Sequence, residues 1–143
     1  CIRCCKVCNS SDTIAAMVVK LAKVLDGVHD ENPGVCHWLV EQQTSRNIKM
    51  KCMSHCVQMY AELKGACAVF IQPRWVHTQL HIPRTSNYQQ KKKAAIQRAA
   101  CFLRSHDIGL MALYSSLPKQ DDAADAILQL LAWHAREYGS SPA

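Results

Sequence analysis

Val35-Cys36-His37-Trp38-Leu39-Val40 is an unbroken apolar run that stops abruptly at Glu41-Gln42-Gln43. It is continuous rather than alternating, the pattern of a strand in a sheet covered on both faces. Ala66-Cys67-Ala68-Val69-Phe70-Ile71 repeats the pattern and is terminated by Pro73. Between the two runs, Ile48, Cys52, Cys56, Met59, Tyr60 and Leu63 recur at helical spacing. That stripe predicts a helix from Arg46 to Lys64, ended by Gly65. Upstream, Ser10-Ser11-Asp12 offers an N-cap to a helix carried by Ile14, Met17, Val18, Leu21, Val24 and Leu25 and ending at Gly27. Asn32-Pro33-Gly34 is a turn. Downstream, Arg74 to Tyr88 reads as a loop, and Gln89 to His106 as a helix opening with Lys91-Lys92-Lys93. A connector holding Leu110-Met111-Ala112-Leu113 leads to a last helix, Lys119 to Tyr138, and a loose tail. The expected class is α/β, in the order α-β-α-β-α-α. Two strands are too few for an independently stable sheet, so the pattern reads as the second half of an α/β domain whose first strands are absent.

At 143 residues and 16.0 kDa, the chain has room for one ordinary domain. A composition 49% hydrophobic and 20% charged is globular. No apolar run approaches the roughly 18–20 residues that span a bilayer. The opening Cys-Ile-Arg-Cys-Cys has no initiator Met and no apolar signal core, which predicts a chain shortened upstream.

The net charge of +6 is concentrated. From Thr44 to Arg104 the basic residues are Arg46, Lys49, Lys51, Lys64, Arg74, Arg84, Lys91, Lys92, Lys93, Arg98 and Arg104, against the single acid Glu62. A basic middle suits a polyanion, nucleic acid first, or else is a solvated face. Of nine cysteines, Cys36, Cys52, Cys56, Cys67 and Cys101 sit among apolar neighbours and read as small buried hydrophobes. A secreted disulfide scaffold would be shorter and richer in turns, so an intracellular, reducing compartment is expected. Cys1, Cys4, Cys5 and Cys8 have the spacing of zinc-knuckle halves, with no second pair at the distance a zinc ribbon needs. They hold Zn²⁺ or form a leader that holds nothing.

Two features carry chemistry. Glu41 follows a buried strand directly, and ligands of open α/β sheets bind at the carboxyl ends of strands. Asp121, Asp122 and Asp125 open the last helix, with Asp122 and Asp125 on one face. Acids in a first turn favour the helix dipole, but three so close repel unless compensated, which invites a cation. Ala123 and Ala124 between them permit close packing. Glu41, Asp122 and Asp125 are therefore the expected ligands of Mg²⁺ or Mn²⁺, and two-metal phosphodiester hydrolysis the expected reaction.

At these residues the chain resembles the RuvC-type Holliday-junction resolvases of the RNase H-like superfamily, closest to the branches of poxviruses, other large DNA viruses and fungal mitochondria. The resemblance lies in Leu39-Val40-Glu41-Gln42-Gln43, in Ser45-Arg46-Asn47-Ile48-Lys49-Met50-Lys51, and in Ala68 to Pro73. It extends to the basic run Tyr88 to Lys93 and to the segment Lys119 to Trp133. It implies a partial RNase H-like fold, a Cys-rich segment over 1–10, the C-terminal part of the nuclease domain over 11–138 and a tail over 139–143. Glu41, Asp122 and Asp125 become the catalytic carboxylates and Asp121 an auxiliary acid or cap. Gln43, Arg46, Lys49, Lys51, Lys91, Lys92 and Lys93 would lie along branched DNA, and family members are homodimers. The family's first strand supplies an Asp from a motif like Asp-x-Gly, and this sequence has none. Weak or no cleavage and marginal folding follow for the segment alone. Two other readings compete: a degenerate RNase H-like module that binds nucleic acid without cutting, and a protein-interaction domain.

The remaining marked residues have plainer readings. His37 is a core or edge histidine, and His77 and His81 belong to a loop. Met50, Met53 and Met59 pack a helix, Trp75 anchors the loop, and Trp133 is core.

Overall fold

The computed structural model describes residue 9 and residues 11–43, 46–82 and 87–139. The chain is mixed α/β, mostly helical, and divides between Gln72 and Pro73 into two compact units.

The first unit holds α1 (Ile14–Glu31), β1 (His37–Glu41), α2 (Ile48–Leu63) and β2 (Cys67–Ile71). The strands pair in parallel with His37 opposite Cys67 and Glu41 opposite Ile71. A parallel pair needs a crossover, and α2 supplies it, packing on both strands while α1 packs on α2. Met17, Leu21 and Leu25 of α1 meet Met53 of α2 in the core, with Trp38, Cys52, Cys56, Val57 and Tyr60 half-buried around them. The Asn47 side chain caps α2 by accepting from the Met50 N–H at 3.2 Å, and Gly65 leaves it at φ +76°, where a side chain would be strained. Thr13, one residue beyond the expected Ser-Ser-Asp cap, caps α1 by accepting from the Ala16 N–H. Asp12 instead accepts from the Asn9 N–H at 2.7 Å and from Lys20 Nζ at 2.8 Å.

Three expectations change here. Gly27 does not end α1, which runs on to Glu31; a glycine inside a helix costs only about 1 kcal/mol relative to alanine and enforces no stop. The strands are not covered on both faces: His37 and Glu41 are exposed, Trp38 and Leu39 half-buried, and only Val40 is buried in β1. The sheet has two strands among the described residues, so each strand is also an edge. Finally, Cys36 and Cys67 are exposed at the strand starts, Cys101 is exposed on a helix, and Cys52 and Cys56 are half-buried; none is a fully buried hydrophobe.

Both strand edges can be traced through the ladder. Cys67 N–H donates to the Cys36 carbonyl and Gln42 N–H to the Ile71 carbonyl, so the even-numbered residues of β1 face β2. On the far side of β2, the Ala68 N–H meets Glu62 Oε1 at 3.4 Å.

The second unit is all-helical: α3 (Pro73–Gln79), α4 (Tyr88–His106), α5 (Ile108–Ser116) and α6 (Gln120–Tyr138). Two of these helices replace an expected loop and connector. Pro73 ends the strand run and also opens α3, because its fixed φ suits a first helical position. Asp107 ends α4 and begins α5: its N–H donates to the Leu103 carbonyl at 2.8 Å, and its carboxylate accepts from the Leu110 N–H at 2.9 Å. α4 and α6 approach closely because Ala99, Ala123, Ala124 and Ala132 are buried at the contact. Tyr114 from α5 is 1% exposed among Ala99, Leu103, Ala123 and Ala124, and its hydroxyl donates to the Ile96 carbonyl at 3.3 Å. Leu80, Leu128 and Leu131 make a second cluster. Trp75 joins it from α3 rather than from a loop, with the Arg136 guanidinium 4.0 Å from its ring centroid. Trp133 is half-buried against Tyr138 rather than core.

Candidate functional site

Glu41 stands at the carboxyl end of β1, exposed, where the ladder with β2 runs out. It borders a cavity of about 200 Å³ within the first unit, lined by Leu21, Val40, Glu41, Gln43, Met50, Met53, Ser54 and Val57. Met50, Met53, Ser54 and Val57 share one face of α2 at the spacing i, i+3, i+4, i+7. Gln43 Nε2 donates to the Glu41 carbonyl at 3.5 Å, and Ser54 Oγ to the Lys51 carbonyl at 2.8 Å. The cavity was not legible as such, since it needs three elements converging; the helical spacing of the two methionines was its one visible sign. Met59, on the other hand, is exposed.

The basic residues at the start of α2 divide. Arg46 and Lys51 are exposed. Lys49 Nζ donates to the Asp12 carbonyl at 2.8 Å, tying α2 to the start of α1. His37 is exposed, its Nδ1 3.2 Å from Cys36 Sγ.

In the second unit, Asp121 and Asp122 lie in the first turn of α6, as a helix dipole favours. Each is bound by a lysine. Lys92 Nζ of α4 donates to Asp121 Oδ2, and Lys119 Nζ to Asp122 Oδ2 at 2.7 Å. Asp125 is exposed one turn on. The Lys92 hydrogen bond, against some desolvation, holds the Asp121 carboxyl below the ordinary carboxylate range, with the Lys119 charge assisting. The same bond raises the Lys92 ammonium, and burial raises the Tyr114 phenol, with the Asp121 and Asp125 charges nearby. The repulsion that invited a cation is thus met at Asp121 and Asp122 by ammonium groups. The Lys91-Lys92-Lys93 run is split as well: Lys92 turns into the α4–α6 contact, its ammonium 5.0 Å from the Tyr88 ring centroid, while Lys91 and Lys93 are exposed. His77 sits half-buried on α3, its Nδ1 donating to the Ile82 carbonyl at 3.2 Å, and His81 follows the helix at φ +50°.

A pH dependence follows. Asp121 is depressed from 3.8, so its contribution to stability is complete above that value and is lost as pH falls through the lower folded value. Lys92 is raised from 10.5, so its contribution is complete below that value and is lost as pH rises through the higher folded one. The melting-temperature gap between the native chain and Asp121→Asn is therefore expected to be level between pH 3.8 and 10.5 and to narrow outside that window. Thermal melts by circular dichroism at a series of pH values check it.

The donor chemistry of Glu41, Asp122 and Asp125 is that of a hard divalent cation. Glu41 belongs to the first unit and the two aspartates to the second. Among the described residues, neither unit gathers three His, Cys, Asp or Glu side chains around one point. Cys1, Cys4, Cys5 and Cys8, the expected zinc ligands, lie outside the described residues. No helix among the described residues is long and apolar enough to cross a membrane. Compared with protein-family models, with curated proteins and with solved structures, the chain has no match.

Proposed function

We propose that the chain is a nucleic-acid-binding module of RNase H-like type. The observation that carries this is α4. It places Lys91, Lys92, Lys93, Arg98 and Arg104 along 19 residues with no carboxylate, and four of those five cations are exposed. Its first turn holds no acid, and lysines follow at once, the reverse of the charge order a helix dipole favours. Phosphates supply the missing counter-charge. Arg46 and Lys51 add exposed cations in the first unit.

A second reading keeps the same surface and adds hydrolysis of branched DNA, as in the resolvases that the motifs resemble. The observation that favours it is Glu41, an exposed carboxylate at the carboxyl end of a parallel strand, beside a cavity. In that reading Asp122 and Asp125 complete the acidic set, Mg²⁺ or Mn²⁺ supplies the charge stabilisation that phosphodiester cleavage needs, and the protein acts as a homodimer on a four-way junction.

One experiment separates the two. A labelled synthetic four-way junction is incubated with the chain in Mg²⁺, Mn²⁺ or EDTA, and binding and nicking are read on native and denaturing gels. Binding that weakens with salt, without nicks, is the expected result. Metal-dependent, paired nicks that Glu41→Gln and Asp122→Asn abolish, with binding retained, establish the second reading instead. Absence of any salt-dependent affinity overturns both in favour of a protein-interaction domain.

A further inference from the structure

We infer that α4 lies in the major groove of a B-form DNA duplex, with Gln97 at the base edges and one row of cations on each flanking phosphate backbone; this rests on the nucleic-acid-binding reading above and names its ligand. The helix packs on α5 and α6 through one side, where Ala99 and Leu103 are buried. On the opposite side Gln90, Ala94, Gln97 and Cys101, at the spacing i, i+4, i+7 and i+11, form an exposed, uncharged ridge. At 3.6 residues per turn, Lys91 and Arg98 fall on one line beside this ridge, and Lys93 and Arg104 on another about 140° around the axis. All four are exposed. Of the lysines and arginines of α4, only Lys92 turns to the packed side, where Asp121 holds it.

Two rows of cations with a neutral ridge between them select the ligand. A single strand or an acidic peptide carries one line of charge and meets one row. A bilayer surface requires large apolar side chains between the rows, and Gln, Ala, Gln and Cys supply none. A duplex groove has a phosphate backbone on each side and base edges at its floor. The major groove of B-form DNA, about 12 Å wide, admits an α-helix, whereas that of A-form RNA is too deep and narrow for side chains to read. The small Ala94 and Cys101 let the helix sink toward the floor. Gln97 then brings an amide that donates and accepts at once, the pair of bonds that adenine offers through N6 and N7. At a rise of 1.5 Å per residue the ridge is about 16 Å long, enough for roughly five base pairs at 3.4 Å each. No carboxylate between Tyr88 and His106 opposes the backbones.

The test uses the whole chain. The probes are short DNA duplexes of randomised sequence, the corresponding RNA duplexes and a single-stranded oligothymidylate. Expected are salt-dependent binding that favours the DNA duplex, and protection of guanine N7 in the major groove from dimethyl sulfate while adenine N3 in the minor groove is still methylated. The pairs Lys91→Gln with Arg98→Gln, and Lys93→Gln with Arg104→Gln, are each expected to flatten the slope of log affinity against log salt by about 2. Gln97→Ala is expected to leave that slope unchanged and to lose a preference of roughly five- to 150-fold at one base pair of the selected sequences. Ala94→Trp, which puts a bulky ring on the exposed ridge, is expected to lose duplex binding with the melting temperature retained. Equal affinity for the single strand, unprotected guanine N7, or a slope carried wholly by one pair of cations overturns the groove docking and leaves the nucleic-acid reading standing. Duplex binding unaltered by Ala94→Trp overturns it as well. Absence of salt-dependent binding to every probe overturns the underlying reading and the docking with it.

Discussion

Tyr114→Ala is expected to remove about 3–5 kcal/mol of stability, the cost of emptying a large aromatic site that neighbouring side chains cannot refill. The reason is local. Tyr114 is 1% exposed, and the residues around it include Ala99, Ala123 and Ala124, which have no length with which to close a void. Against a total of about 5–15 kcal/mol for a typical domain, the loss is severe. At roughly 4–8 °C per kcal/mol for a unit of this size, the melting temperature should fall by more than about 10 °C. Tyr114→Phe separates packing from polarity. It keeps the ring and loses only the bond to the Ile96 carbonyl, so about 0.5–1.5 kcal/mol is expected. Hydrogen exchange on the native chain and both variants checks the assignment, with faster exchange expected across α4, α5 and α6.

The second large effect concerns binding. Replacing Lys91, Lys93, Arg98 and Arg104 together by Gln removes the exposed cations of α4. Each cation that meets a phosphate contributes about 0.9 to the slope of log affinity against log salt on duplex DNA, so the slope should flatten by about 3 to 4 when all four do. Lys92→Gln is the informative control. Its ammonium is held by Asp121 between α4 and α6, so this variant should lower the melting temperature and leave the slope nearly unchanged. Fluorescence-anisotropy titrations across a range of salt concentrations measure both. If Lys92→Gln flattens the slope as much as Lys91→Gln does, the division of the lysine run is wrong.

That division shows where a sequence stops being readable. The helices α2, α4 and α6 follow from apolar stripes and from the turn and cap residues beside them, and their ends fall within one or two residues of expectation. The two strands follow from unbroken apolar runs. α5 escaped because Ile108 to Leu113 is apolar on every side and has no stripe to read. α3 is hidden because Pro73 ends a strand run and starts a helix with the same fixed φ. The charges were legible in number and sign but not in employment. Nothing local reveals that Lys92 reaches Asp121 across 29 residues, or Lys49 the Asp12 carbonyl across 37. Glu41 was legible as a strand-end carboxylate, whereas the cavity it borders depends on Leu21 and Val57, which no short motif connects.

The Glu62 carboxylate near the Ala68 N–H makes the two edges of the small sheet unlike. On β2 the outward main-chain donor at Ala68 is already engaged by a carboxylate. On β1 the ladder turns the Leu39 N–H and carbonyl away from β2. One carboxylate on the helix between the strands thus covers part of the β2 edge, while the Leu39 main chain marks the outer edge of β1.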